Sequence, residues 1–306
     1  MDLAKKRVCV TGGTGFLGSH IVDKLYEHGC TDVVVPRHSD YDLRLRDHVH
    51  SMYNTLEPDI VIHAAASVGG IGVNIDSPAD FFYNNITMGT ELIAEAKNRA
   101  IEKFVVIGTA CSYPRDTKVP FKEEDLWNGY PETTNAAYGL SKKMQIVQAQ
   151  AYRAQYGISG ICLLLTNIYG PRDNFDLRTS HAIAAMIRKF IEGNGKVTLW
   201  GTGSATRDNI YVEDAAEAVV LATEVYDKPE PVNIGTGVEI SISTQAAIIQ
   251  RLAEYKGTVE WDKTRGDGQP RRCLDVSRAA YEFGFIAKTH FEEGVKRTID
   301  WYRKNK

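Results

Sequence analysis

Short β-branched runs alternate with stretches of helical spacing through residues 7–165, a glycine-rich turn closes the first run, and the texture changes after Leu165. Together these predict an α/β fold: a doubly wound parallel sheet of the Rossmann type with a smaller C-terminal lobe. Buried strands are expected at Arg7–Thr11, Asp32–Val35, Asp59–His63, Lys103–Gly108 and Ser159–Leu165, each a short apolar run bounded by turn residues. Parallel neighbours need crossovers, and helical spacing supplies them at Leu17, Ile21 and Leu25; at Val49, Tyr53 and Leu56; at Phe82, Ile86, Leu92, Ile93 and Ala96; and at Leu140, Met144, Val147 and Ala151. Such apolar stripes are accounted for by the sheet they cover. The third helix should start at Ser77-Pro78, a hydroxyl cap followed by proline where its missing N–H costs nothing.

Beyond Leu165, Gly170-Pro171, Gly193-Asn194-Gly195 and Gly201-Thr202-Gly203 cut the chain into shorter pieces, with helices expected at about 180–192, 213–226, 241–256 and 290–304. This divides the chain into a first domain, 1–165, and a second, 166–306. Residues 208–234, with strand-like runs at Asn209–Val212 and Pro231–Ile234, are expected to return to the first.

Composition excludes several functions. The 36 basic and 39 acidic residues leave a net charge of −3 with no basic block, so neither nucleic acid nor an anionic membrane is expected as a partner. Cys9, Cys30, Cys111, Cys162 and Cys273 are odd in number and contain no Cys-x-x-Cys pair, which points away from a disulfide framework or a metal site and fits a reducing cytoplasm. Lys5, Lys6 and Arg7 precede only Val8–Val10 before a glycine turn, too short for a signal peptide or a membrane span.

The first strand runs into Gly12-Gly13-Thr14-Gly15-Phe16-Leu17-Gly18 and then a helix. In that setting glycines let the backbone approach a pyrophosphate, and the free N–H groups of the helix start favour the anion. The first domain is therefore read as dinucleotide-binding. At the end of the second strand stands Arg37, with no carboxylate before Asp40. An arginine there suits a 2′-phosphate, so NADP is favoured over NAD; Asp40 or Asp42 as a ribose partner keeps NAD open.

Tyr138 and Lys142 are four apart on a helical pattern and share a face. An ammonium beside a phenol favours phenolate and should lower a pKa near 10. Thr109 ends the fourth strand, at the carboxyl edge where doubly wound sheets bind ligands. A hydroxyl, a Tyr/Lys pair and a dinucleotide turn together describe hydride transfer to or from a carbonyl.

On Thr11–Gly18, Asp42-Leu43, His63-Ala64-Ala65-Ala66, Thr109 and Tyr138-x-x-x-Lys142, the whole chain resembles the extended short-chain dehydrogenase/reductases. Val68-Gly69-Gly70-Ile71, Cys111-Ser112-Tyr113-Pro114, Thr166–Phe175, Ser180-His181, Trp200–Gly203 with Arg207, and Asp267–Arg272 narrow the resemblance to its GDP-4-keto-6-deoxymannose 3,5-epimerase/4-reductases. That resemblance implies Thr109, Tyr138 and Lys142 as the reductase group and Cys111 and His181 as an acid/base pair for epimerisation. It implies NADP contacts from Gly12, Thr14, Gly15, Phe16, Leu17, Arg37, Asp42, Leu43, Ala64, Ala65, Ala66, Lys142, Leu165, Ile168 and His181. It implies Asn167, Arg188, Trp200, Arg207 and Arg272 on a GDP-linked sugar, and a homodimer formed through the helices near 79–98 and 136–156.

Thr109 replaces a more usual serine and keeps its hydroxyl. Ser67 and Leu165 depart from the family pattern and bear on the identity of the sugar, while Ala110, following Thr109, offers no carboxylate for a 4,6-dehydratase. Alternatives are a keto-reductase or an epimerase of another nucleotide sugar, such as a heptose or colitose precursor, or a non-catalytic module sensing the nicotinamide ratio.

Overall fold

The computed structural model describes residues 1–99 and 101–306. In chain order its strands are β1 (Arg7–Thr11), β2 (Asp32–Val34), β3 (Ile60–His63), β4 (Lys103–Thr109), β5 (Ser159–Leu165), β6 (Asn167–Tyr169), β7 (Lys196–Trp200), β8 (Thr206–Tyr211), β9 (Val232–Ile234), β10 (Glu239–Ser241), β11 (Thr258–Asp262) and β12 (Arg271–Arg272). Its α-helices are α1 (Phe16–Glu27), α2 (Arg46–Leu56), α3 (Ile71–Asp76), α4 (Pro78–Ala96), α5 (Ala136–Tyr156), α6 (Ala182–Glu192), α7 (Val212–Val225), α8 (Ile242–Leu252), α9 (Ser277–Phe283) and α10 (Phe291–Asn305).

The main sheet is six-stranded and parallel, in the order β2-β1-β3-β4-β5-β9. The chain passes from β2, on one side of β1, to β3 on the other, so β1 and β3 flank a switch point whose carboxyl ends open a ligand cleft. Alternate residues of β1 face opposite layers: Val8 and Val10 join α1, α7 and α9, whereas Cys9 joins α2, α4 and α5. A third cluster gathers α6, α8 and α10 around Phe175 and Phe190. The run 208–234 divides between sheets. β9 lies beside β5 and α7 packs on α1, but β8 pairs with β6, β10 and β12 in a smaller sheet. A separate parallel pair joins β7 to β11. No helix of the described residues is long and apolar enough to cross a membrane.

Two expectations need correction. Ser77 is the N-cap of α4 with Pro78 behind it, but its hydroxyl makes no capping hydrogen bond. The stripe Leu140, Met144, Val147, Ala151 is not the face of α5 that covers the sheet: Met144 and Val147 are exposed, and so is Phe82 on α4. The buried face carries Ser141, Lys142, Lys143, Gln145, Ile146 and Ala149. Two of its polar groups reach carbonyls on other elements. Gln145 Nε2 donates to the Asn85 carbonyl at 2.7 Å, with Gly89 leaving room for its side chain, and Lys143 Nζ donates to the Leu126 carbonyl. The helices α3 and α9, of six and seven residues, are too short to leave a periodic signal.

Candidate active site

At the carboxyl end of β1 the backbone turns at Gly12, whose φ is +72°. A Cβ there would stand 2.7 Å from the Ala65 backbone, so only glycine lets the turn approach the Ala64-Ala65 strand end. Gly15 caps α1 without a side chain, no acidic residue occupies the first turn, and Thr14 and Gly15 face solvent. The first N–H groups of α1 thus stay free for an anion, as a pyrophosphate requires. Phe16 and Leu17 are half-buried, Leu17 against the core, and Leu165 is wholly buried in it, which leaves mainly backbone at Leu165 for a ligand. Ile168, on β6, packs against the same cluster.

Arg37 is exposed and makes no side-chain hydrogen bond or ion pair among the described residues. Asp42 is committed: Arg44 donates to its two oxygens from Nε at 2.9 Å and Nη2 at 2.6 Å, and holds the carboxyl well below the usual range. Leu43 is buried, Ala64 and Ala65 line the strand end facing the glycine turn, and Ala66 follows them half-buried. The residues present therefore fit a dinucleotide.

Thr109, the last residue of β4, accepts the Cys111 N–H at 3.2 Å, which fixes the 3-10 turn Ala110–Ser112 over the sheet edge. Helix α5 presses on that turn. Ser112 Oγ donates to the Gly139 carbonyl at 2.9 Å, and a Cβ on Gly139 would collide with the Cys111 carbonyl. Tyr138 and Cys111 are thereby neighbours. Burial first, and then Cys111, push the Tyr138 phenol up from its ordinary value. This corrects the expectation that Lys142 lowers it in the free protein. Lys142 is itself 2% exposed, burial lowers it to about 8, and it makes no hydrogen bond to the phenol. A phenol that keeps its proton at neutral pH is in the state a donor needs. Beneath the pair lies His63, wholly buried, with Nδ1 2.9 Å from Thr11 Oγ1 and Nε2 unpartnered; burial first, then Lys142, hold it well below its usual pKa.

His181 is the N-cap of α6. The loop before it is clamped to the segment after β3: Gly70 N–H donates to the Thr179 carbonyl at 3.0 Å, and the Ser180 carbonyl occupies the space a Cβ on Gly70 would need. Solvent reaches the imidazole, yet protein walls it, and the loss of hydration lowers its pKa. On the far side, Arg207 and Arg272 stand opposite each other on β8 and β12. Arg207 is lowered to about 10 by burial and then by Arg272, and neither guanidinium has an ion pair among the described residues. Arg272 Nη1 instead donates to Cys111 Sγ at 3.3 Å.

The remaining expected substrate residues make contacts of their own. Asn167 Nδ2 donates to the Asp208 carbonyl at 3.4 Å. Trp200 is exposed, with Arg265 over its ring at 4.8 Å and Gly72 at its edge. Arg188 is engaged within its own lobe, donating to Glu192 and to the Phe175 carbonyl, each at 3.0 Å. Sequence reasoning missed Asp267, which accepts from Thr202 N–H and hydroxyl at 2.7 Å, and Gln269, although the segment holding both was singled out. It also missed Asp173, whose carboxyl burial raises to about 7 without a cationic partner; no spacing signals it.

The pattern of the family described as "NAD dependent epimerase/dehydratase family" matches residues 8–235. The chain is 38% identical over 303 residues to GDP-L-fucose synthase 1 of Arabidopsis thaliana, covering 98% of this chain and 94% of that protein. Among solved structures it is similar to a GDP-6-OMe-4-keto-L-xylo-heptose reductase from C. jejuni, with TM-score 0.94, 25% identity and 99% of each chain covered. It is also similar to a GDP-mannoheptose C4 reductase from Campylobacter jejuni with NADP bound, with TM-score 0.87, 25% identity, and 98% of this chain and 99% of that one covered.

Proposed function

The chain belongs to the NAD dependent epimerase/dehydratase family, as an oxidoreductase/epimerase working with a nicotinamide cofactor, and from that premise we propose that it is an NADPH-dependent 3,5-epimerase/4-reductase of a GDP-4-keto-6-deoxyhexose, giving GDP-L-fucose or a close relative. The observation that carries this reading is the Cys111 thiol beside Tyr138 at the carboxyl edge of the sheet, a group that ketone reduction alone leaves without work.

A 4-ketone makes the hydrogens on C3 and C5 acidic. Cys111, as thiolate, takes a proton from carbon, the C–H pair becomes the enolate C=C bond as the carbonyl π pair moves onto O4, and His181 returns a proton to carbon on the opposite face. Thr109 already accepts from the Cys111 N–H, so its own hydrogen is free for O4 alongside the Tyr138 phenol, and two donors meet the developing oxyanion. The glycine turn and Arg37 would hold the cofactor by its phosphates, and its nicotinamide would supply the hydride. Tyr138 then gives its proton to O4, and Lys142, pressed toward neutrality by burial, is poised to restore it. Arg207 leaves unneutralised positive charge that suits a diphosphate. Asn167, Trp200 and Arg188 complete the proposed substrate contacts, and the free guanidinium of Arg37 against the occupied Asp42 favours NADPH.

Incubation with GDP-4-keto-6-deoxymannose should consume NADPH, followed by its absorbance; no oxidation with that sugar rejects the proposal. The similarity to the heptose reductase favours one second reading, reduction alone, which predicts NADPH consumption with a GDP-4-keto-heptose and no exchange of C3 or C5 hydrogen.

The protein is proposed to act as a homodimer. Helices α4 and α5 pack side by side, and on their outer faces Phe82, Tyr83, Met144 and Val147 expose apolar area that the sheet does not cover. A second copy related by a twofold axis would bury this face against itself.

A further inference from the structure

Resting on the epimerase reading, we propose that Arg272 is a positioning residue that holds Cys111 as thiolate, and that it governs proton removal rather than sugar binding. Successive residues of a strand point to opposite faces. On β12, Arg271 turns outward onto the Glu239 carboxylate, while Arg272 turns inward and is nearly fully buried. Its Nη1 reaches Cys111 Sγ at 3.3 Å, and among the described residues Cys111 is the one anion-forming group it hydrogen-bonds.

The guanidinium is braced. Its Nε donates to Gln269 Oε1 at 3.1 Å, and Gln269 Nε2 in turn donates to the Arg115 carbonyl at 2.7 Å. An amide oxygen fixes the orientation of the fork without neutralising it, which leaves the positive charge for the sulfur. The backbone that carries the thiol is fixed from its own side by the hydrogen bond of the Cys111 N–H to Thr109 and by the close approach of Gly139 to the Cys111 carbonyl. Arg207, the register partner of Arg272, instead donates to the Thr206 and Asp267 carbonyls at 2.7 and 3.2 Å. The two arginines thus divide the work: one faces the thiol, the other remains for the substrate anion. In the step itself the thiolate takes a proton from carbon, forming S–H as the C–H pair becomes the enolate C=C bond and the carbonyl π pair moves onto O4, and Arg272 favours the thiolate that starts it.

The test compares Arg272→Gln and Arg272→Lys with the unaltered enzyme, using iodoacetamide alkylation of Cys111 at neutral pH, located by mass spectrometry. Cys9, Cys30, Cys162 and Cys273 are buried and serve as internal controls. Arg272→Gln should slow alkylation by about tenfold or more, with partial recovery in Arg272→Lys. In parallel, exchange of C3 and C5 hydrogen in heavy water should lose turnover by a similar factor with KM for the GDP-sugar little changed. Unchanged alkylation in Arg272→Gln, or a raised KM with turnover kept, overturns the assignment. If the unaltered enzyme exchanges neither hydrogen, the epimerase reading fails, and the alkylation rates alone still decide the role of Arg272.

Discussion

Replacing Lys142 with methionine removes a cation that the fold holds almost out of water. Burial lowers Lys142 from 10.5 to about 8. In the unfolded chain it titrates near the ordinary value, so between these limits the unfolded state binds more protons and stability rises with pH. Below about pH 8 both states are charged, and the folded state bears the full cost of desolvation. At about 1.4 kcal/mol per pH unit, the gap corresponds to about 3 kcal/mol. Lys142→Met should therefore be more stable than the parent at pH 7 by up to about 3 kcal/mol, an advantage that shrinks to near zero by about pH 10.5. The assay is urea unfolding of nucleotide-free protein across that range, read as the difference between the two proteins so that other titrating groups cancel. An advantage that stays constant with pH, or a variant less stable at pH 7, refutes the reasoning. The same variant should lose reductase activity, since the proposed mechanism uses Lys142 to return the proton to Tyr138.

Gly12→Ala places a side chain at φ +72° and 2.7 Å from backbone that cannot yield; it should cost about 2–4 kcal/mol and weaken NADPH binding at least about tenfold, measured by melting and by fluorescence titration. Arg37→Ala should raise the KM for NADPH more than that for NADH, and an equal effect on both removes the 2′-phosphate role. Met144→Glu with Val147→Glu should convert a dimer to a folded monomer by light scattering, because two charges would otherwise be buried against an apolar partner face.

The parallel sheet was legible because its strands are buried on both sides and read as unbroken apolar runs, from Val8–Val10 to Ile161–Leu165. The inward face of α5 was not, because its apolar stripe points away from the sheet while Lys142, Lys143 and Gln145 point in, a reversal that for Lys143 and Gln145 depends on carbonyl partners on neighbouring elements. The glycine turn and the Tyr138/Lys142 pair were legible as local spacing. The approach of Arg272 to Cys111 was not, since 161 residues separate them and the contact depends on the pairing of β12 with β8. Likewise the phenol of Tyr138 depends less on its helical neighbour than on how much water the cleft excludes, which spacing does not encode.

Converting the GDP-4-keto sugar in heavy water and locating deuterium in the product by NMR tests the central claim most directly. The account predicts deuterium at both C3 and C5, with inversion at each, and suppression of both signals in Cys111→Ser and His181→Asn while some ketone reduction survives. Product reduced at C4 but carrying only original hydrogen at C3 and C5 would contradict it.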